Sequence, residues 1–323
     1  MLLLGTAGLI AGRSGISVSH AHQGAATASR ATSVIPVDPR ALAPVAPPTP
    51  PPLPIDWLGQ HGQPSLAIDA ESAIVVDADT REVMWERDDH SRRPPASLTK
   101  VVTAMVAADL ASSFDQQITV PVEATTLESD STFMGLSPGE VVTVRDLMYG
   151  MFLVSGNDAA ETLARAFVPR ERFVQLMNEK AASLGMRDTQ FTNPSGLDDP
   201  AMRTTAYDLA IAAEAIATRY SAIMAVAGAK DQLLPQNPTH KAFFFHTFIK
   251  LVSTYPGATG LKTGYTDDAG YCLVGTATRG DRHLLVVLMG GDLELTADAS
   301  KLLDYGFSQP RPVPIDPSTI PGV

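Results

Sequence analysis

Pro94-Pro95-Ala96-Ser97-Leu98-Thr99-Lys100-Val101-Val102-Thr103-Ala104-Met105-Val106-Ala107-Ala108 is the stretch that decides how the chain folds. Between Arg93 and Asp109 its only charge is Lys100. Leu98, Val101, Val102, Met105 and Val106 recur at helical spacing and predict a core-facing stripe. Two prolines bar any helix from running further upstream, so the helix is expected to begin at or just before Ser97. Ser97 and Lys100, three residues apart, then stack on one face in the first turn. A hydroxyl beside a lysine in apolar surroundings suits a nucleophile and its base. It suits equally a helix cap followed by a lysine that snorkels to water, and on this segment alone the cap is the favoured reading.

Working outward, Ala73 to Asp77 and Glu82 to Glu86 read as two strands across the turn Ala78-Asp79-Thr80-Arg81. Downstream, a polar stretch with Ser137-Pro138-Gly139 gives way to an apolar helix, Val144 to Leu153. That helix ends in Val154-Ser155-Gly156-Asn157-Asp158, and a second is expected from Asp158 to Phe167. Arg172 to Leu184, closed by Gly185, and Thr205 to Thr218 are two more. The last third turns to strands: Gly260 to Thr263, then a hairpin of Tyr271 to Thr278 and His283 to Met289 joined by Arg279-Gly280-Asp281-Arg282. Ala297 to Tyr305 closes as a helix. Strands near both ends and helices between predict an α+β fold, an antiparallel sheet flanked by helices with a mostly helical insertion.

The chain has 323 residues, 45% of them hydrophobic and 18% charged, enough for a real core. A net charge of −11 argues against nucleic acid as a partner. The seven histidines form no metal-ligand spacing and Cys272 is alone, so no metal site is readable. Cys272 lies in a strand pattern and is expected to be a small buried filler. Met1 to Ala11 is apolar but too short to span a bilayer, and residues 1–30 read as a candidate export signal lacking the usual basic start. Residues 31–66, with Pro44, Pro47, Pro48, Pro50, Pro51, Pro52 and Pro54, read as an extended linker. The folded domain is expected over 67–308, followed by a second proline-rich tail, 309–323.

Three short motifs occur in order: Ser97-x-x-Lys100, Ser155-Gly156-Asn157 and Lys262-Thr263-Gly264. About one S-x-x-K pair is expected by chance in a chain this long, but three motifs in this order, each at an element boundary, are far more specific. With their flanks, Pro95-Ala96-Ser97 through Lys100, Leu153-Val154-Ser155 through Ala160, Thr259 through Thr266 and Phe191-Thr192-Asn193-Pro194-Ser195-Gly196-Leu197, the chain resembles the low-mass D-alanyl-D-alanine carboxypeptidases. These are penicillin-binding serine peptidases of the β-lactamase/transpeptidase-like superfamily. The resemblance covers roughly Ala73 to Phe307 and implies the fold of that superfamily.

It also implies roles. Ser97 would attack the carbonyl between the two terminal D-alanines of a peptidoglycan stem peptide, with Lys100 as base and Ser155 as proton relay to the leaving group. Asn157, Lys262, Thr263 and Gly264 would bind substrate, and the backbone N–H groups of Ser97 and Tyr265 would form the oxyanion hole. β-Lactams would be covalent inhibitors, no cofactor or metal would be needed, and the protein would work outside the cytoplasm, secreted, periplasmic or associated with the cell wall. Two features set the chain apart. Some members carry an arginine shortly after the pair that here is Gly290-Gly291, yet Asp292 to Asp298 has none. Many continue into a β-rich domain and a membrane anchor, so no C-terminal anchor is expected here.

The rival enzyme reading, a class A-like β-lactamase, needs a glutamate in an ExxLN-type loop, and Glu161, Glu171, Glu179 and Glu214 lie in no such pattern. A catalytically silent peptidoglycan-binding module is the rival from another class. Asp146, Glu161 and Asp208 are expected on solvated helix faces, and Phe243-Phe244-Phe245 in the core in preference to a substrate wall.

Overall fold

The computed structural model describes residues 57–127 and 131–311. The candidate export segment, the proline cluster from Pro44 to Pro54 and all but the first residues of the C-terminal tail lie outside them. The centre is a five-stranded antiparallel sheet, order β2-β1-β9-β8-β7, built from β1 (Ser72–Asp77), β2 (Glu82–Arg87), β7 (Ala258–Thr266), β8 (Gly270–Arg279) and β9 (Arg282–Gly291). The first and last of these strands are neighbours in it: β1 pairs with β9 from Ser72↔Met289 to Asp77↔Leu284.

Both faces of the sheet are covered, which explains its near-continuous apolar strands. Ile74, Val76, Leu285, Val287 and Met289 face one core, whose other side is α2 (Lys100–Leu110), α4 (Val144–Leu153), α5 (Asn157–Ala166), α6 (Arg170–Leu184), α7 (Ala206–Arg219) and α8 (Ser221–Ala227). The alternate residues Ala73, Val75, Leu284, Val286 and Leu288 face a second core under α1 (Trp57–His61), α9 (Lys250–Thr254) and α10 (Thr296–Ser308). The period of two along each strand thus sorts side chains into two cores. The helices α2, α4, α5, α6, α7 and α8 all lie between β2 and β7, so the helical insertion interrupts one sheet, and the α+β architecture read from the sequence is the architecture observed.

Several boundaries move. The packed body reaches back to Trp57, which is 6% exposed in the second core, so the last ten residues assigned to the linker belong to the fold. Ser97 sits not in the α-helix but in a 3-10 turn, Ala96–Thr99, from which α2 starts at Lys100. Four short strands were not legible: β3 (Gln117–Thr119) pairs with β4 (Val141–Thr143), and β5 (Asp231–Leu234) with β6 (Phe243–His246). The Phe243-Phe244-Phe245 run is β6, so its residues alternate: Phe243 and Phe245 are buried, while Phe244 is 67% exposed. Cys272 is a buried free thiol, its pKa pushed up to about 12 by burial.

The three acids expected on solvated faces are not there. Asp146 closes a capping box with Thr143 at the start of α4. Buried Glu161 is ion-paired with Arg165 and Arg170. Buried Asp208 accepts from the Asp188 N–H at 2.9 Å and from the Thr189 hydroxyl at 2.7 Å. Asp146 is held by the residue that caps its own helix, Glu161 by Arg165 one turn along α5 and by Arg170 at the start of α6, and Asp208 by the loop at Asp188 and Thr189.

Candidate active site

Residues i and i+3 eclipse in a 3-10 turn, so Ser97 and Lys100 are drawn together by the backbone itself. Lys100 Nζ lies 2.7 Å from Ser97 Oγ. It also donates to Asn157 Oδ1 at 2.7 Å and to the Ser195 carbonyl at 2.6 Å. Those acceptors come from α5 and from the loop before α7, so three parts of the chain close around one amine. The lysine is fully buried in the apolar setting of α2. Burial lowers its pKa well below the ordinary value, the nearby Lys262 cation lowers it further, and Asp158 and Glu161 oppose both.

The Ser195 carbonyl is held in place by an Asx-type turn. Asn193 Oδ1 accepts from the Ser195 N–H at 3.2 Å, the Ser195 hydroxyl at 3.1 Å and the Gly196 N–H at 2.7 Å. Gly196 has φ +87, and a Cβ there would fall 1.8 Å from the Ala96 carbonyl oxygen, so the loop can back onto the Ser97 turn only with glycine. This carbonyl is a site feature that the sequence did not show. Its trace in the sequence is the Phe191 to Leu197 motif, which carries part of the family resemblance.

Ser155 projects from the turn between α4 and α5 with φ 59. Its Oγ accepts from Lys262 Nζ at 3.0 Å. Lys262 Nζ also donates to the Thr263 carbonyl at 2.7 Å, and burial lowers its pKa to about 7. Lys262 lies on β7, an edge strand of the sheet, which runs alongside the Ser97 turn. At Gly264 the approach is backbone to backbone: a Cβ there would meet Ser97 N at 2.8 Å and Ala96 Cβ at 3.0 Å. The glycine therefore makes room first for the turn that carries Ser97. Thr263 is half-buried, and the Tyr265 ring is exposed at 54%, packed 4.7 Å from Tyr271.

All three motifs thus meet in one place, with two lysines and two serines interleaved. Among the described residues no arginine hydrogen-bonds to Ser97, Lys100, Ser155, Asn157 or Lys262. Arg93 lies beside Gly290, where a Cβ would meet Nη1 at 2.9 Å, but it is ion-paired with Glu71.

A family model described as D-alanyl-D-alanine carboxypeptidase, peptidase S11, matches residues 59–293. The chain belongs to that family. It is 34% identical over 252 residues to D-alanyl-D-alanine carboxypeptidase DacF of Bacillus subtilis, covering 76% of this chain and 64% of that one. It is 36% identical over 264 residues to D-alanyl-D-alanine carboxypeptidase DacB2 of Mycobacterium tuberculosis, covering 78% and 89%. The chain thus spans less than two thirds of DacF and nearly all of DacB2. Among solved structures, the crystal structure of a D-alanyl-D-alanine carboxypeptidase from Mycobacterium tuberculosis superposes with a TM-score of 0.71 at 35% identity, over 77% of this chain and 94% of that one. The match to this peptidase structure fixes the fold as transpeptidase-like.

Proposed function

We propose that the protein is a serine D-alanyl-D-alanine carboxypeptidase that removes the terminal D-alanine from peptidoglycan stem peptides outside the cytoplasm. The observation that carries this is the environment of Lys100. A neutral amine has two hydrogens and one lone pair. With Asn157 Oδ1 and the Ser195 carbonyl taking the two hydrogens, the lone pair is left for the Ser97 hydroxyl, 2.7 Å away. Burial keeps the neutral form accessible.

In the reaction, Ser97 Oγ bonds to the carbonyl carbon between the last two D-alanines while its proton passes to Lys100. Ser155, hydrogen-bonded to Lys262, relays a proton from Lys100 to the leaving amine, and the C–N bond breaks to release D-alanine. Water then cleaves the serine ester. Asn157 holds the substrate amide, Lys262 and Thr263 take the terminal carboxylate, and Gly264 lets β7 lie close. The backbone N–H groups of Ser97 and Tyr265 receive the oxyanion.

Three of the four glutamates weighed for a class A-like β-lactamase are engaged elsewhere: Glu161 with Arg165 and Arg170, Glu179 with Arg172, Glu214 with Arg81. The loop facing Lys100 offers a carbonyl and no carboxylate, so β-lactams are expected to acylate Ser97 and leave slowly. Labelled penicillin tests the site: the wild type forms a stable adduct, and Ser97→Ala and Lys100→Ala remain folded without labelling. Equal labelling of Ser97→Ala would overturn the assignment. Release of D-alanine from diacetyl-lysyl-D-alanyl-D-alanine tests the activity. Rapid nitrocefin hydrolysis without D-alanine release would point to the β-lactamase, and labelling with neither turnover to a silent binding module.

A further inference from the structure

The turn that carries Ser155 is held from outside the catalytic cluster. Its φ of 59 is a conformation that side-chain-bearing residues seldom adopt, and it persists where the surroundings over-determine it. Two hydrogen bonds bind the turn to the irregular segment Thr132 to Leu136. The Thr132 hydroxyl donates to the Ser155 carbonyl at 2.8 Å, and the Asn157 N–H donates to the Thr132 carbonyl at 2.8 Å. At Gly156 the two backbones touch, since a Cβ there would lie 2.7 Å from Met134 N.

That segment is in turn gathered by one side chain. Asp158 Oδ1 accepts from the Met134 N–H at 2.7 Å and from the Ala159 N–H at 2.9 Å. Its Oδ2 accepts from the Gly135 N–H at 2.8 Å and the Leu136 N–H at 2.9 Å. Only an ionised carboxylate can accept on both oxygens at once without presenting a donor of its own. The group is 1% exposed and touches none of the motif side chains in these bonds.

We propose that Asp158 is a positioning residue for acyl transfer: its carboxylate fixes the segment Thr132 to Leu136, and through that segment fixes Ser155 against Lys262. The inference rests on the reading of Ser155 as the proton relay. Its charge has a second effect. The charged groups acting on Lys100 are Lys262 from β7 and, from α5, Asp158 and Glu161, the last paired with Arg165 and Arg170. Asp158 favours the ammonium, so removing its charge makes Lys100 neutral at lower pH.

The test is Asp158→Asn in the full chain, with acylation by labelled penicillin followed against pH and amide exchange followed over residues 131–136. The amide Nδ2 of asparagine would face backbone donors, so the segment loosens. The expected result is a plateau rate lower by about 100-fold, the loss that a misplaced reacting group produces. The rising limb of the pH profile moves to lower pH, and exchange at Met134, Gly135 and Leu136 quickens. Thr132→Val, which cuts only the tie to Ser155, is expected to lower the plateau by about tenfold with the limb unmoved and the segment still protected. A role in stability alone would lower the melting temperature of Asp158→Asn and leave the limb in place. The proposal is overturned if Asp158→Asn folds with a wild-type plateau or wild-type exchange. Should that variant fail to fold, a wild-type rate in Thr132→Val overturns it. Persistent labelling of Ser97→Ala would sink the functional reading instead, and the exchange result would still decide whether Asp158 anchors the segment.

Discussion

Lys100 and Lys262 are ammonium-bearing side chains removed from water, and each relieves its burial by losing a proton. With Lys100 as the proposed base, acylation needs its free amine, so the rate is expected to rise as pH climbs through its folded pKa, which lies well below 10.5. Lys262 is one of the causes of that lowering. Lys262→Met removes the cation and is expected to move the rising limb to higher pH, read from the labelled-penicillin rate; a limb that stays in place would deny the coupling. Stability follows from the same group. Lys262 has a folded pKa of about 7, while the unfolded chain holds its proton to about 10.4. Between those values the unfolded state binds more protons, so stability rises with pH across that window, and below it the cost of the buried charge is carried in full. Lys262→Met is therefore expected to melt higher than the wild type at acidic pH, with the gap narrowing as pH rises from about 7 towards 10. Thermal melts across that range check it, and a constant gap would contradict a folded pKa near 7.

The elements meet the site through glycines of two kinds, and substitution separates them. Gly280, in the turn of the β8–β9 hairpin, has φ +63 and no heavy atom within 4 Å of a built Cβ. Gly280→Ala is expected to cost about 1 kcal/mol in thermal unfolding, the backbone term alone, and to acylate normally. Gly264→Ala has the opposite profile: its Cβ would press on Ser97 N at 2.8 Å, so acylation should fall by about 100-fold while stability drops by about 1–3 kcal/mol. Equal acylation rates in the two variants would show that β7 and the Ser97 turn are not in backbone contact. Elements of ten residues or so, such as α4, α5 and the β8–β9 hairpin, were legible because their periods of 3.6 and 2 repeat often enough to be read. β3 and β4, three residues each, contain hardly more than one period, too little for an alternation to be read. Ser97, Lys100, Ser155, Asn157, Lys262, Thr263 and Gly264 could be singled out as candidates because they fall in short motifs of defined residue type that carry the family resemblance. The Ser195 carbonyl could not, because a backbone acceptor carries no residue type. Nor could the burial of Glu161 and Asp208, whose partners Arg170 and Thr189 lie 9 and 19 residues away.

At the scale of the molecule, the site is assembled from both sides of the helical insertion: the Ser97 turn follows β2, and Lys262 arrives on β7 after the insertion is complete. The sheet that brings them together is closed by β1 on β9, and one buried ion pair marks the end of that ladder. Asp77 Oδ2 accepts from Arg282 Nε at 2.9 Å, with Asp77 fully buried and also accepting from the Asp79 and Thr80 N–H groups. Arg282 Nη1 donates to the Gln309 carbonyl at 2.8 Å, so the same guanidinium holds the chain beyond α10. The register puts this pair at the end of β1 away from Ser72↔Met289, the end nearest Gly264↔Cys272, about 17 Å along the strand for five residues. Arg282→Met leaves a buried carboxylate without its cation and should cost about 3–5 kcal/mol, seen as a single cooperative transition at lower denaturant. The double variant with Asp77→Asn should recover part of that loss, since the stranded charge is then gone. In both, the acylation rate per folded molecule should match the wild type, because the pair acts on closure of the sheet and touches nothing near Ser97. A slowed rate at full folding would mean that strain at the closing strands reaches β7 across β8.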